Sequence, residues 1–163
     1  MKKIIKSEDE FKKFQKIGKY QVFVFYSKMP FPFSFASHVW FVISNAENNF
    51  KRIDGGDFGT KDYIHTDILK PWQGMIVSIY SKTKKRRCNV RFWKKLEGNK
   101  NSKAYRLYKL LNGDIKDYPY LKKYRLWPGP NSNTFVSWIL EKTNIKIKLP
   151  WNAFGKKFRE DRR

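Results

Sequence analysis

Two continuous apolar runs in the first third of the chain predict β-strands. Residues 20–26 (YQVFVFY) and 38–44 (HVWFVIS) are rich in β-branched and aromatic residues and lack the alternation of a strand with one wet face. We therefore expect both strands to be buried on both faces. Shorter strand patterns follow at residues 50–53, 75–81 and 89–96, whereas residues 57–74 predict a long loop with one helical turn near 67–70.

Helix signals occur in three further segments. Ser7 begins a capping pattern, S-E-D-E, and the helix it predicts over residues 7–17 ends at Gly18. Residues 102–112 place apolar side chains on one helical face. Residues 133–142 follow a Trp-Pro-Gly-Pro turn and are apolar over a wide arc, so this helix should lie inside the domain. We expect Trp127 and Phe135 to anchor the turn and the helix in the core.

These elements predict a single α+β domain, in which a mostly antiparallel sheet of about five strands is flanked by helices. The chain has 163 residues, and its 14 Phe, 9 Tyr and 6 Trp supply enough apolar surface to exclude general disorder. We assign residues 1–155 to the domain, with a short closing strand or extended segment at 145–149, and residues 156–163 to a basic C-terminal tail.

The net charge of the chain indicates which class of binding partner it favours. Lys and Arg total 36 against 14 Asp and Glu, a formal net charge of +22, which favours anionic partners. Residues 82–95 hold eight cations and no acid, with Phe92 and Trp93 interleaved. Such a hairpin could bind nucleic acid or another polyanion, or be a solvated loop. The candidate binding residues are Lys84, Lys85, Arg86, Arg87 and Arg91.

Targeting and redox signals are few. The first residues lack the apolar core of a signal peptide, no stretch reaches the length of a membrane span, and Cys88 is the only cysteine. These features predict a cytoplasmic protein without a membrane span. His65 with Asp62 and Asp67 is a weak metal candidate, and no cofactor motif occurs, so we predict neither a metal site nor a cofactor.

Ser132 is the most suggestive residue for catalysis. A hydroxyl at the start of a buried helix lies where unpaired N–H groups favour an oxyanion. A nucleophile also needs a base, and His38, at the head of a predicted buried strand, is a better candidate than His65. Asp54 or Asp57 could orient its imidazole.

The structural alternative is a simple helix cap. Ser and Asn after a Pro-Gly-Pro turn are what a helix N-terminus prefers, and Asn131 and Asn133 suit either the turn or an oxyanion site. Capping requires no catalysis, and a histidine on an apolar strand is often a core residue.

Residues 127–135 (WPGPNSNTF), preceded by Tyr118-Pro119-Tyr120 and followed by Leu149-Pro150, resemble a bacterial family catalogued as domain of unknown function 3750. His38-Val39-Trp40 resembles the family's early His strand. That family is similar in layout to circularly permuted papain-like proteins of the NlpC/P60 type, in which a His strand precedes a nucleophile that opens a late helix. The resemblance implies the same layout here.

The resemblance implies a hydrolase-like protein that acts on an amide or an ester. The substrate would be an unknown small molecule or peptide. Ser132 would be the nucleophile, His38 the base, and the N–H groups after Ser132 the oxyanion donors. The relatives usually have Asn-Cys where this chain has Asn131-Ser132, and a helix N-terminus holds a thiolate but not an alkoxide. The site is therefore a serine variant or a scaffold that binds without turnover. The alternative is a non-catalytic basic protein that binds nucleic acid or another polyanion.

Overall fold

The computed structural model describes residues 3–75, 87–113 and 115–160. Its strands form one antiparallel sheet in the order β1-β6-β2-β3-β4-β5. The strands are β1 (Ile4–Ile5), β2 (Tyr20–Lys28), β3 (Ser37–Ser44), β4 (Phe50–Gly55), β5 (Ile64–Thr66) and β6 (Val90–Gly98). The helices are α1 (Glu8–Lys12), α2 (Lys103–Asn112) and α3 (Ser132–Lys142). The α+β class with a mostly antiparallel sheet is confirmed, with six described strands instead of about five.

Both central strands, β2 and β3, are buried on both faces. Alternate side chains such as Val24 and Phe41 face α2 and α3, where they meet Leu107 and Phe135. The side chains between them face α1 and form a second cluster, which contains Ile5, Phe11, Phe23, Phe25, Trp40, Val42 and Val90. A strand between two apolar layers has no wet side, which explains the unbroken hydrophobic runs.

Helix α3 lies inside the domain, as its wide apolar arc predicts. It packs on β3 and β4, and seven of its residues are buried: Ser132, Asn133, Thr134, Phe135, Val136, Ile139 and Leu140. Four of them are apolar and three are polar. The polar ones occupy the first turn, where they meet the end of the sheet.

Several predicted boundaries were wrong. Helix α1 ends at Lys12, not near Ile17, whose side chain is exposed. The predicted loop 57–74 contains β5, and residues 67–70 form no helical turn. Instead Asp67 adopts a left-handed φ of 57° and its carboxylate accepts from the Arg52 N–H at 2.7 Å, which ties the loop to β4.

Two further strand predictions concern residues 145–149 and 75–81. Residues 145–149 form neither a helix nor a described strand, and within them the Ile147 N–H donates to the Ile145 carbonyl oxygen at 3.1 Å. Of the predicted strand 75–81, residues 76–81 lie outside the described part of the chain. The chain after the predicted domain end contacts the core, since the Phe158 ring lies 5.5 Å from the Tyr120 ring. In the part of the chain that the structure describes, no helix is long and apolar enough to span a membrane.

The predicted core position of Trp127 was wrong. Phe135 is fully buried, whereas Trp127 is 66% exposed and its ring packs edge-on against Phe154. The Trp-Pro-Gly-Pro turn lies outside the sheet at the start of α3, so its indole does not reach the core.

This difference gives a stability prediction. Phe135→Ala should lower the free energy of unfolding by about 3–5 kcal/mol, because it empties a packed site, while Trp127→Ala should cost less than about 1 kcal/mol. Urea unfolding of both variants measures the two costs. Equal losses would contradict the placement of these two rings.

Candidate functional site

Ser132 is the first residue of α3, and its hydroxyl faces the imidazole of His38. Ser132 Oγ lies 2.9 Å from His38 Nδ1, and both side chains are 3% exposed. With Nδ1 as the acceptor, the Ser132 hydroxyl donates to a lone pair that can receive its proton. The structure therefore brings together two residues that are 94 positions apart.

Asn133 holds this pair in place. Beyond the last β3–β4 partners, Phe41 and Ile53, the Asn133 carboxamide bonds to the backbone of β3. Its Oδ1 accepts from the Val39 N–H at 3.1 Å, and its Nδ2 donates to the Ser37 carbonyl oxygen at 2.9 Å. These two bonds flank His38 on either side, so the side chain fastens the first turn of α3 to the strand that carries the histidine.

Gly55, the last residue of β4, allows the helix to come this close. A Cβ on Gly55 would lie 2.9 Å from Ser132 Cα, a distance that real Cβ atoms essentially never show. Only glycine fits beside this backbone.

Asp54 contacts the other side of the imidazole. Its Oδ1 lies 2.8 Å from His38 Nε2. The approach is off the ideal hydrogen-bond direction, and neither atom has a hydrogen-bond partner elsewhere in the described residues, so the contact is an electrostatic one between the carboxylate oxygen and the ring nitrogen. It places the imidazole proton on Nε2 and leaves Nδ1 free to act as a base.

Arg52 anchors Asp54, and the sequence analysis missed it. Its Nε donates to Asp54 Oδ2 at 3.1 Å, and its Nη2 donates to the same oxygen. Its Nη1 donates to the carbonyl oxygens of Lys70 and Gln73, and its guanidinium lies 4.0 Å from the Trp40 ring centroid. Two oppositely charged residues two positions apart in a strand share one face, which is the signal that could have identified Arg52.

The Asp54 carboxyl group is held in its ionised form. Complete burial raises the pKa of this carboxyl, but the neighbouring His38 and Arg52 outweigh burial and lower the pKa from 3.8 to about 2. Burial lowers the pKa of Arg52, which Asp54 partly restores. Asp54 is therefore ionised at every pH at which the imidazole acts as a base.

Other acids and the second histidine lie elsewhere. The Asp57 carboxylate accepts from the Gly59 N–H at 3.1 Å, in a local turn. His65 Nε2 lies 3.0 Å from the Gly56 carbonyl oxygen, and Asp67 accepts from Arg52. Within residues 3–75, 87–113 and 115–160, no group of three or more His, Cys, Asp or Glu side chains could hold a metal ion.

The expected oxyanion donors after Ser132 are already occupied. Asn131 is the N-cap of α3, and its Oδ1 accepts from the N–H groups of Asn133 and Thr134 at 3.0 and 3.3 Å. Both asparagines therefore serve the turn and the strand contact. The cap does not use the Ser132 N–H, which lies at the positive end of the helix.

Tyr124 is a second neutral donor near the site. It lines the same cavity as Ser132, and its ring stacks 5.4 Å from the Tyr63 ring. Burial, with the charges of Asp54 and Asp57, raises the pKa of its phenol to about 12, so the hydroxyl keeps its proton at neutral pH. No spacing in the sequence relates Tyr124 to Ser132 or His38.

A cavity of about 400 Å³ opens onto Ser132 and His38. Its walls come from residues 29–37 and 124–133, together with Phe154. A larger groove of about 760 Å³ lies at the other end of α3, lined by Lys146, Lys148, Lys156, Lys157 and Arg159 among others. Neither histidine lines the larger groove, whereas Ser132 and His38 both line the smaller cavity.

The predicted polyanion site is only partly described. Lys84, Lys85 and Arg86 lie outside the described residues. Arg87 donates to the Gly74 carbonyl oxygen at 3.0 Å, and the exposed Arg91 pairs with Ile4 of β1. Cys88, preceded by these cations, has its pKa raised by burial, so the thiol is not activated. Binding of nucleic acid stays a prediction.

The depressed pKa of Asp54 predicts a dependence of stability on pH. Because the pKa is lower in the folded state, the contribution of this carboxylate, on the order of 2 kcal/mol, is present above about pH 4 and is lost as the pH falls toward 2. Asp54→Asn has no such titration, so the stability gap between wild type and variant should narrow over that interval. Urea unfolding at several pH values measures the gap. Other carboxylates titrate in both proteins, and a gap that stays constant would contradict the pairing.

The tight approach at Gly55 predicts that Gly55→Ala displaces the start of α3. The added Cβ meets backbone, which yields little, so the free energy of unfolding should fall by about 1–3 kcal/mol. Hydrogen exchange should also quicken at the first turn of α3 and not in α2. Unchanged exchange and stability would show that the backbones are not in contact.

Comparison with known proteins identifies a family for this chain but no individual relative. Neither the curated proteins nor the solved structures contain a significant match to this chain. A sequence model of a family described as a protein of unknown function, DUF3750, matches residues 19–158. This range runs from just before β2 to Phe158, so it includes His38, Asp54 and Ser132. The chain therefore belongs to the DUF3750 family.

Proposed function

We propose that this protein is a serine hydrolase that cleaves an ester or amide, with Ser132 as nucleophile and His38 as general base. The observation that carries the proposal is the continuous contact from Ser132 Oγ to His38 Nδ1 and from His38 Nε2 to Asp54 Oδ1, at the end of an open cavity. A hydroxyl, an imidazole and a carboxylate in this order are the parts of a nucleophilic triad.

The chemistry proceeds in two balanced steps. Ser132 Oγ attacks the substrate carbonyl carbon while its proton passes to His38 Nδ1. The bond to the leaving alcohol or amine then breaks, and His38 gives the proton to that group, which leaves an acyl-serine ester. In the second step water loses a proton to His38, its oxygen attacks the acyl carbon, and Ser132 Oγ recovers the proton as the acid departs.

Electrostatics support the first step. Before attack, Arg52, Asp54 and neutral His38 together carry no net charge, which limits the cost of burying them. During attack the imidazole becomes positive and Asp54 stabilises it. We assign the oxyanion donors to the Ser132 N–H and to the hydroxyl of Tyr124, which lines the same cavity.

The topology is the second support. The histidine strand β3 precedes the nucleophile helix α3 in the chain, and the two pack together. This order is that of the circularly permuted papain-like layout, to which we assign the fold as part of the proposal. The serine departs from the usual cysteine, so the base must take the proton during attack.

A fluorophosphonate probe tests the proposal. Wild-type protein should react at Ser132, with the adduct located by peptide mass spectrometry. Ser132→Ala should abolish labelling, and His38→Gln should slow it by roughly 100-fold or more, because general-base catalysis is lost. Ser137→Ala is the matched control, since this serine lies on the same helix and away from the histidine. Folding of each variant is checked by its thermal transition.

Labelling that is equal in wild type and Ser132→Ala would refute the assignment of the nucleophile. A folded wild-type protein that resists the probe and cleaves no ester would show that the site is a binding scaffold without turnover.

A further inference from the structure

We infer that the substrate of this site carries an apolar acyl chain, which lies in the cavity beside Ser132. The inference rests on the proposed function, because it specifies which esters or amides the serine would cleave.

The cavity walls are apolar. Among the described residues, no Lys, Arg, Asp or Glu side chain lines the cavity, although the chain as a whole carries a net charge of +22. Apolar side chains form most of the surface: Met29, Phe33, Phe35, Leu126, Trp127 and Phe154. A charged or strongly polar substrate group would lose its hydration here without gaining a partner, whereas a hydrocarbon gains by leaving water.

Aromatic rings continue from inside the cavity to the surface. Phe154 contacts both walls, with its ring centroid 5.9 Å from Phe35 and 5.6 Å from Trp127. Phe35 and Trp127 are each more than 60% exposed. Single exposed apolar side chains are common on protein surfaces. Large apolar side chains that are exposed together around one opening are typical of a binding surface.

Hydrogen bonds fix the backbone of each wall. On one side Ala36 donates to the Phe33 carbonyl oxygen at 2.9 Å and Asn152 Nδ2 donates to the Phe35 carbonyl oxygen at 2.9 Å. On the other side Asn131 Nδ2 donates to the Leu126 carbonyl oxygen at 3.0 Å. The cavity is therefore preformed, and binding need not open it.

The polar groups of the cavity are concentrated at one place. Ser132 and His38 lie together with Asn131 and Asn133 at the start of α3, and the asparagine side chains are committed to the cap and to β3. A carbonyl at Ser132 leaves a mainly apolar surface for the group attached to it. An acyl ester matches this division between a polar end and an apolar body.

The test compares p-nitrophenyl acetate, butyrate and octanoate, which share one leaving group. Octanoate has six more methylenes than acetate. Each fully buried methylene should raise kcat/KM roughly fourfold, so burial of about half of them should favour octanoate by roughly 60-fold. Trp127→Ala should lower the octanoate-to-acetate ratio by about threefold or more. Trp151→Ala, which truncates an exposed tryptophan that does not line the cavity, should leave the ratio unchanged.

Binding without turnover separates this inference from the proposed function. Octanamide, a neutral uncleaved analogue, should bind full-length Ser132→Ala in calorimetric titration, and acetamide should not. If octanamide binds and Trp127→Ala weakens it while wild type hydrolyses nothing, the acyl site holds and the hydrolase proposal fails. If Ser132-dependent hydrolysis shows no preference for chain length, or octanamide does not bind, the acyl site is overturned.

Discussion

The carboxamide of Asn133 is the contact on which the site depends. It bonds to the backbone of β3 on both sides of His38, where β4 no longer supplies a partner. Buried strand N–H and C=O groups must be satisfied, so the end of β4 creates a requirement that the first turn of α3 meets. In meeting it, the helix presents Ser132 to His38. A structural necessity of the sheet thereby sets the geometry of the hydroxyl and the imidazole.

Burial of charge is the second constraint. Arg52 and Asp54 lie inside the protein, and either alone would be costly. Together with the backbone carbonyls of Lys70 and Gln73 and the Trp40 ring they form a compensated set. Since Arg52 shares the Asp54 carboxylate with His38, it holds the carboxylate in position, and both neighbours favour the ionised form. The two ring nitrogens of His38 also have the reverse arrangement to that in the serine-protease triad, since the hydroxyl faces Nδ1 and the carboxylate faces Nε2.

Sequence patterns predicted the main elements because burial and capping leave strong local signals. The apolar runs of β2 and β3, the wide apolar arc of α3 and the polar residues at its start were all visible in the chain. Short elements were not. The three residues of β5 are a strand only because β4 lies beside them, and the Trp127 ring is exposed because the turn stands clear of the core. Neither fact has a local cause that a pattern records.

The sequence by itself determined the types of group available: a hydroxyl at the start of a buried helix, two imidazoles, and acids at the end of a strand. Only the tertiary structure chose among them. It placed His38 and Asp54 beside Ser132 while Asp57 and His65 turned to local backbone partners, and it added Arg52 and Tyr124. The physical reason is that composition and periodicity indicate which face of a helix or strand is buried. A site depends on distances between residues far apart in the chain, and only tertiary packing sets those distances.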